Sequence, residues 1–412
     1  MTHTAAQPGA LAPLGPSLDR LLDRLSPVDA ERVTLDAARG RMLAEDVRAD
    51  RPSPPVDVSA MDGVAVRVAD LAALTGAGLP IAGEAAIGAP VRELPPERAM
   101  WIFTGGPVPL GADLVVQREW LIESADNVQL RADIDQNRLL PGLHIRSAGE
   151  NARAGATVAS AEQLITPALV AALASVGATR PLVRRRVRLA ILVTGDELVD
   201  AACAPSPTGI RDSNGPSIAS MLDARMWIDV TVVERVRDEP GAIRDAIANA
   251  AERADCVITT GGVSMGDHDH VPGAVAELDG ETVFHRLAIK PGKPVFAATL
   301  PDHRLCLGLP GNGVSALVTA RRIALPAIAR LAGAPDRAIA PDARLTMREP
   351  NARLIAMTHF RLVERTGPDS AAFTENKGSG DVMAAAGSDG FVEVPPGCAT
   401  AGPFDFFTWG TQ

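Results

Sequence analysis

Along this chain the spacing of apolar positions changes four times, and each change marks a new element or group of elements. Leu18, Leu21, Leu22 and Leu25 recur at helical spacing, which predicts an amphipathic helix capped by Ser17 and ended by Pro27. After the proline-rich break "RPSPPVDVS" (51–59), short β-like runs such as "VAVRVA" and "DLVVQ" alternate with Gly and Pro turns to about Glu150. That texture predicts a small β-rich domain. Residues 161–177, "AEQLITPALVAALASVG", predict a helix that Gly177 ends and that packs with the N-terminal helix. From Arg186 unbroken apolar runs take over. "VRLAILVTG", "WIDVTVVERV", "DCVITTGG" and "RLCLGLPG" read as strands, while "GPSIASMLDARM", "EPGAIRDAIANAAERA", "VPGAVAEL" and the long stretch after "GNG" read as helices. Strand and helix in strict alternation predict a doubly wound, mainly parallel sheet. Past Gly333 the helical signal stops, and "ARLIAMTHFRLVER" and "GFVEVPPG" predict strands of a C-terminal β-domain.

The expected architecture is therefore multidomain, α/β plus β. It comprises a leader (1–16), a linker domain built from two segments (17–52 and 152–185), a β-rich domain (53–151), an α/β domain (186–333) and a C-terminal β-domain (334–412). A chain of 412 residues exceeds a single core and has 46% hydrophobic residues with which to fill several. The net charge of −10 argues against a general nucleic-acid binder, which would need a broad basic surface. No apolar run approaches the ~18 residues of a membrane span. The start, "MTHTAAQPGALAPLGP", lacks the basic and apolar regions of a signal peptide. The four cysteines sit at no metal-ligand spacing, which fits reduced thiols in a cytoplasmic protein.

Candidate chemistry gathers where doubly wound sheets bind ligands, beyond the carboxyl ends of the strands. Three such ends carry glycine and polar residues: "TGDEL" with Thr194, Gly195 and Glu197; "TTGGVSMGDHD" with Gly261, Gly262, Ser264, Gly266, Asp267 and Asp269; and "LPGNGVS" with Pro310, Gly311 and Asn312. Each alone is equally a plain turn, but parallel strands place all three on one edge. The acids have two readings, as helix-entry caps or as ligands of a hard divalent cation shared with phosphate. Asp212 favours the first. His268 and His270 lack a third partner for zinc and read as loop residues. Of 40 basic residues only three are lysines, Lys290, Lys293 and Lys377, and two of them sit in "IKPGKP". Two ammonium groups on a proline-stiffened turn suit a second anion, with Arg286 a third positive charge nearby. No nucleophile elbow and no dinucleotide fingerprint is present.

"SAMDGVAVR", "FTGGPVPLGADLVVQRE", "GLHIRSAGE", "VTGDEL", "TTGGVSMGD", "LAIKPGKPV" and "LGLPGNGVSALV" occur in this order. Together they resemble the molybdopterin molybdenumtransferase (MoeA) family, which includes the gephyrin E-domain. The resemblance implies a four-domain homodimer with its cleft shared between subunits. It implies Mg²⁺-assisted insertion of molybdenum from molybdate into adenylylated molybdopterin, with release of AMP. Asp62 and Thr104 match the partner-subunit side. Glu197, Asp238, Asp269 and Lys290 match polar positions of the α/β side, and Ser379 in "KGSGD" matches a C-terminal motif. The metal would fall to Glu197, Asp267 and Asp269, the pyrophosphate to the glycine turns, and the molybdate to the lysines. An upstream adenylyltransferase and molybdoenzyme chaperones are the implied partners. Four positions depart from the family pattern: Val64 for tyrosine, Asn151 for an acid, Arg286 for lysine and Gly313 for proline. A molybdopterin carrier or scaffold with weak transfer is the alternative. An adenylyltransferase of the related smaller family is disfavoured by the additional β-domains.

Overall fold

The computed structural model describes residues 11–264 and 269–410, which form two compact units. The first comprises residues to Glu45, Ala161–Thr166 and Leu182–Gln412; the second comprises Asp46–Ser160 and Pro167–Pro181.

The N-terminal helix α1 (Leu14–Leu22) begins inside the expected leader. Ser17 consequently lies in its middle rather than at its cap, fully buried beside Leu14, Leu18 and Leu21. The residue before the helix is Pro13. This helix packs on elements of its own unit, and the helix expected over 161–177 starts only at Pro167 and belongs to the second unit. Residues 161–166 instead begin with a turn and then run extended, where Ile165 N donates to Arg41 O and Ile165 O accepts from Gly40 N.

The second unit holds a six-stranded sheet. Its strands are β1 (Gly63–Val66), β2 (Leu79–Ala85), β3 (Ala99–Ile102), β4 (Leu114–Gln117), β5 (Leu121–Glu123) and β6 (Asn127–Leu130), in the order β4-β1-β3-β2-β6-β5. Val64 sits on an interior strand, β1, opposite Trp101 and Val116 and is fully buried, so the position filled by tyrosine in the family pattern serves here as core. Helix α2 (Pro167–Ser175) completes this unit.

The larger unit holds the expected doubly wound sheet. Its elements run β7 (Val187–Thr194), α3 (Asn214–Asp223), β8 (Ile228–Val236), α4 (Pro240–Ala251), β9 (Cys256–Thr260), α5 (Val271–Glu277), β10 (Glu281–His285), β11 (Phe296–Leu300), β12 (Arg304–Leu309) and α6 (Gly313–Thr319). The strand order is β8-β7-β9-β12-β11-β10. The first four strands are parallel, and β11 and β10 close the edge antiparallel. β7 and β9 are buried almost end to end, which is why they read as unbroken apolar runs. The long helix after "GNG" is interrupted by a π-turn at Ala320–Ala324 before α7 (Leu325–Leu331). Pro326 has no N–H to continue the ladder, and the wider turn accommodates that loss.

The C-terminal sheet uses β13 (Ala343–Met347), β14 (Thr358–Gly367), β15 (Ser370–Phe373), β16 (Gly390–Val394) and β17 (Phe404–Thr408), with α8 (Val382–Ala386) between β15 and β16. β14 pairs with both β15 and β16, so the strands close into a barrel-like ring. "ARLIAM" (352–357), expected to be strand, is not: Asn351 holds this segment through Arg353 O and Cys398 O instead of a ladder. One apolar core runs from α1 through the doubly wound sheet to Phe360, Phe391 and Phe407 of the barrel. Among the described residues no helix is long and apolar enough to cross a membrane. Cys256 and Cys306 are buried in the sheet as free thiols, and burial pushes Cys306 up to about 12.

Candidate active site

β7, β9 and β12 are adjacent and in register, with Val193 opposite Thr260 and Thr260 opposite Leu309. Their three carboxyl-end loops therefore meet. Thr194 Oγ1 donates to Thr260 O at 3.3 Å, and Gly261 N donates to Leu309 O at 3.0 Å. Thr260 Oγ1 donates to Pro310 O at 3.2 Å. Asn214, at the start of α3, binds both sides of this seam through Thr260 Oγ1 (2.8 Å) and Gly311 O (2.7 Å). Gly261 is required here: its φ is +94°, and a Cβ would lie 2.6 Å from Thr194 Oγ1 and 2.8 Å from Thr194 O.

The loops enclose a cleft of about 480 Å³ whose walls include Thr194, Gly195, Glu197, Asp212, Asp238, Gly261, Gly262, Ser264, Asp269, Pro310, Gly311 and Asn312. Most of the residues expected at the strand ends are thus brought together. Glu197 folds back over Gly195, its carboxylate about where a Gly195 Cβ would be met at 2.9 Å. Asp212 accepts from Gly215 N at 3.0 Å, the role of a helix-entry acid. Gly266, Asp267 and His268 lie outside the described residues. Among the described residues no three His, Cys, Asp or Glu side chains converge as a metal cluster. Glu197 and Asp269 nevertheless supply two hard oxygen donors in one cleft, which is the protein share that Mg²⁺ takes when phosphate oxygens and water complete its shell.

A second cavity, of about 600 Å³, adjoins the first and shares Pro294, Pro310 and Asn312 with it. All three lysines of the chain, Lys290, Lys293 and Lys377, line it, together with Arg353, Arg361 and Ser379, and no acid does. Ile289–Lys290 leaves the doubly wound sheet and pairs in parallel with β14, placing Lys290 opposite His359. His359 is only 7% exposed, and its Nδ1 has no hydrogen-bond partner. Burial, reinforced by Arg361, Lys290 and Arg353, pushes it down to about 4, so the ring is neutral at physiological pH. Burial likewise lowers Arg361 to about 10; its guanidinium lies 3.5 Å from the Phe373 ring centroid and donates to Asn351 Oδ1 at 2.9 Å. Ser379 O accepts from Val314 N at 2.9 Å, tying the "KGSGD" loop to the start of α6. Arg286 lines neither cavity.

The reading of the sequence did not single out His359, Arg353, Arg361 or Asn214. The available signal was the alternation of His359 and Arg361 on β14, which puts both on one face.

In the second unit Thr104 donates to Asp62 Oδ1 twice, from its backbone N at 2.7 Å and from its hydroxyl at 2.9 Å. These bonds hold the Asp62 carboxyl below its ordinary range. Asn151 accepts from Arg146 Nη2 at 2.7 Å, a neutral partner where an acid would make an ion pair.

Two family models match the chain: the MoeA N-terminal region (domain I and II) over residues 13–177, and a probable molybdopterin binding domain over residues 190–330. A molybdopterin molybdenumtransferase from Haemophilus influenzae is 35% identical over 317 residues, 76% of each chain. The chain belongs to the molybdopterin molybdenumtransferase family. A member from Staphylococcus aureus (strain Mu50) is 28% identical over 393 residues, 93% of this chain and 92% of its own. The fold matches the crystal structure of the molybdopterin biosynthesis MoeA protein from Pyrococcus horikoshii OT3 with a TM-score of 0.79, at 22% identity over 98% of both chains. Membership makes this molybdopterin molybdenumtransferase family protein a transferase of molybdenum cofactor biosynthesis.

Proposed function

We propose that this protein inserts molybdenum from molybdate into adenylylated molybdopterin, with Mg²⁺-dependent release of AMP. The observation that carries the reading is the juxtaposition of two cavities with opposite chemistry. One is glycine- and acid-lined and the other gathers every lysine of the chain with no acid in its wall.

The backbone N–H groups of Gly262, Val263 and Ser264 and of Gly311 and Asn312 bind and orient the pyrophosphate, since glycine lets an anion approach the main chain closely. Glu197 and Asp269, with Asp267, would hold the Mg²⁺, which supplies charge neutralisation at the anhydride when bound. Lys290, Lys293 and Lys377, with Arg353 and Arg361, hold the molybdate dianion beside the dithiolene. Neutral His359 offers its ring nitrogen to the same oxyanion without adding charge. Asn312 and Pro310 belong to both walls and fix the distance between them.

The remaining parts of this reading follow the family resemblance. The protein acts as a cytoplasmic homodimer of four-domain subunits, and Asp62 and Thr104 of a second copy complete the cleft. The test is incubation of purified protein with adenylylated molybdopterin, Mg²⁺ and molybdate, reading AMP. Release that depends on molybdate supports the transferase; tight pterin binding without release replaces it with the carrier.

A further inference from the structure

A third cavity, of about 260 Å³, shares no wall residue with the other two. Arg225, Asp342, Ala343, Arg365, Phe406 and Thr408 line it. Behind them stands Arg321, which the π-turn presents to this side and which is only 2% exposed. Its Nη2 donates to Asp342 Oδ2 at 2.9 Å and its Nε to Thr408 O at 3.3 Å, so both of its partners are wall residues. Its Nη1 is buried without a hydrogen-bond partner, and the guanidinium lies 5.2 Å from the Phe407 ring centroid.

The local charges do not balance. Asp342 Oδ2 is already shared between Arg321 and Thr408 N, at 2.9 Å each. The Arg225 guanidinium donates only to the Met221 carbonyl at 3.3 Å and forms no ion pair among the described residues. Its guanidinium is destabilised by burial and by Arg321. Arg365 donates to Pro368 O at 2.7 Å and likewise lacks an ion pair. Asp389 is engaged by the backbone N of Arg365 at 2.6 Å, and Asp405 by Arg344 at 3.2 Å. Three guanidiniums thus face one wall carboxylate in a partly desolvated place, and a buried cation is costly unless paired. π-turns recur at functional sites, and here the turn supplies the innermost cation.

We propose that this cavity binds a small tetrahedral oxyanion of the phosphate class, held by Arg225 and Arg365 and backed by Arg321. Guanidinium forks match such oxygens two at a time. At ~30 Å³ per water, the cavity has room for the anion and a few waters. The site is independent of the proposed transfer reaction, because none of its residues lies in either part of that cleft.

The test is calorimetric titration of the full chain with inorganic phosphate. Lys290→Ala/Lys293→Ala weakens the lysine-lined competitor, so that the arginine variants report on this cavity. In that background phosphate binding should persist at one site per chain, and Arg225→Gln or Arg365→Gln should weaken it about ten- to a hundredfold, the loss of one charge-assisted hydrogen bond. Circular dichroism confirms that each variant folds, and Arg365, on the cavity's rim strand, serves if Arg225→Gln does not. Competition by AMP would assign the site to phosphate esters, and no competition to the free oxyanion. Absence of phosphate binding in the lysine-deleted protein, or equal affinity with and without the arginines, overturns the proposal.

Discussion

Lys290 stands directly opposite His359 in a two-residue parallel ladder, with Ile289 opposite Thr358 beside it. The pairing joins a loop of the doubly wound sheet to the first long strand of the C-terminal ring. It sets an ammonium next to a buried imidazole, and the imidazole yields its proton. The wall of the lysine-lined cavity is therefore charged by lysine and arginine alone at neutral pH.

Replacing Lys290 by alanine should raise the molybdate concentration at half-maximal AMP release by about ten- to a hundredfold, since a charge-assisted hydrogen bond contributes about 1.5–3 kcal/mol. Affinity for the adenylylated pterin should change less, because that ligand has backbone donors of its own. Lys290→Arg should recover only part of the loss, a planar fork being no substitute for a compact ammonium. An unmoved molybdate curve with weakened pterin binding would reassign the lysine to the phosphate or dithiolene.

His359 predicts a pH dependence of stability. Its ordinary value is 6.5 and its folded value about 4. Between these the unfolded chain binds the proton that the fold refuses, so stability rises with pH across roughly pH 4 to 6.5 and falls on acidification. His359→Phe removes the titrating group. Denaturant titrations at several pH values should show the parent losing on the order of 2–3 kcal/mol more than the variant over this window. Parallel profiles would mean that the ring is protonated in the fold.

Asp269→Asn should reduce turnover more than it reduces stability. The amide keeps the shape but not the charge, so the signature is a higher Mg²⁺ requirement for AMP release. A variant that titrates with Mg²⁺ like the parent would leave Asp269 as a loop acid only.

Gly313 occupies a position where proline is the family pattern, and the structure gives a reason. A Cβ there would lie 2.3 Å from Val382 Cγ1 on α8. Gly313→Ala should therefore destabilise by about 1–3 kcal/mol through overpacking. Val382→Ala should relieve the clash, so the double variant should be more stable than the additive sum of the two. Strict additivity in thermal unfolding would show that the two residues do not meet.

The strand ends of the larger unit were legible because they combine two local signals, an apolar run and a glycine stop, and a parallel sheet aligns them without further information. The α1 boundary is obscured for a local reason too: Ser17 looks like a cap, but its small side chain is wanted between leucines on the inward face. His359 and Arg361 were not legible. In isolation they are polar positions on an amphipathic strand, and only pairing with a segment about 70 residues earlier turns their face into a cavity wall. The lysine scarcity was the better clue, since it pointed to Lys290 and Lys293 without needing the fold. "ARLIAM" carries strand-forming residues yet makes no ladder: the Asn351 amide takes Arg353 O and Cys398 O, and Gly397 N takes Ile355 O.

The short Ile289–Lys290 ladder also works as a rivet. One member is borne on the connection between β10 and β11 of the doubly wound sheet and the other on β14 of the C-terminal ring, and the anion proposed to bind beside them would be gripped by side chains from both. Ligand occupancy and the mechanical seating of the C-terminal ring are then one equilibrium read from two ends, and linkage makes them reciprocal. On the proposed function, whatever loosens the ring should lower oxyanion affinity, and a bound oxyanion should stiffen the ring against heat and protease.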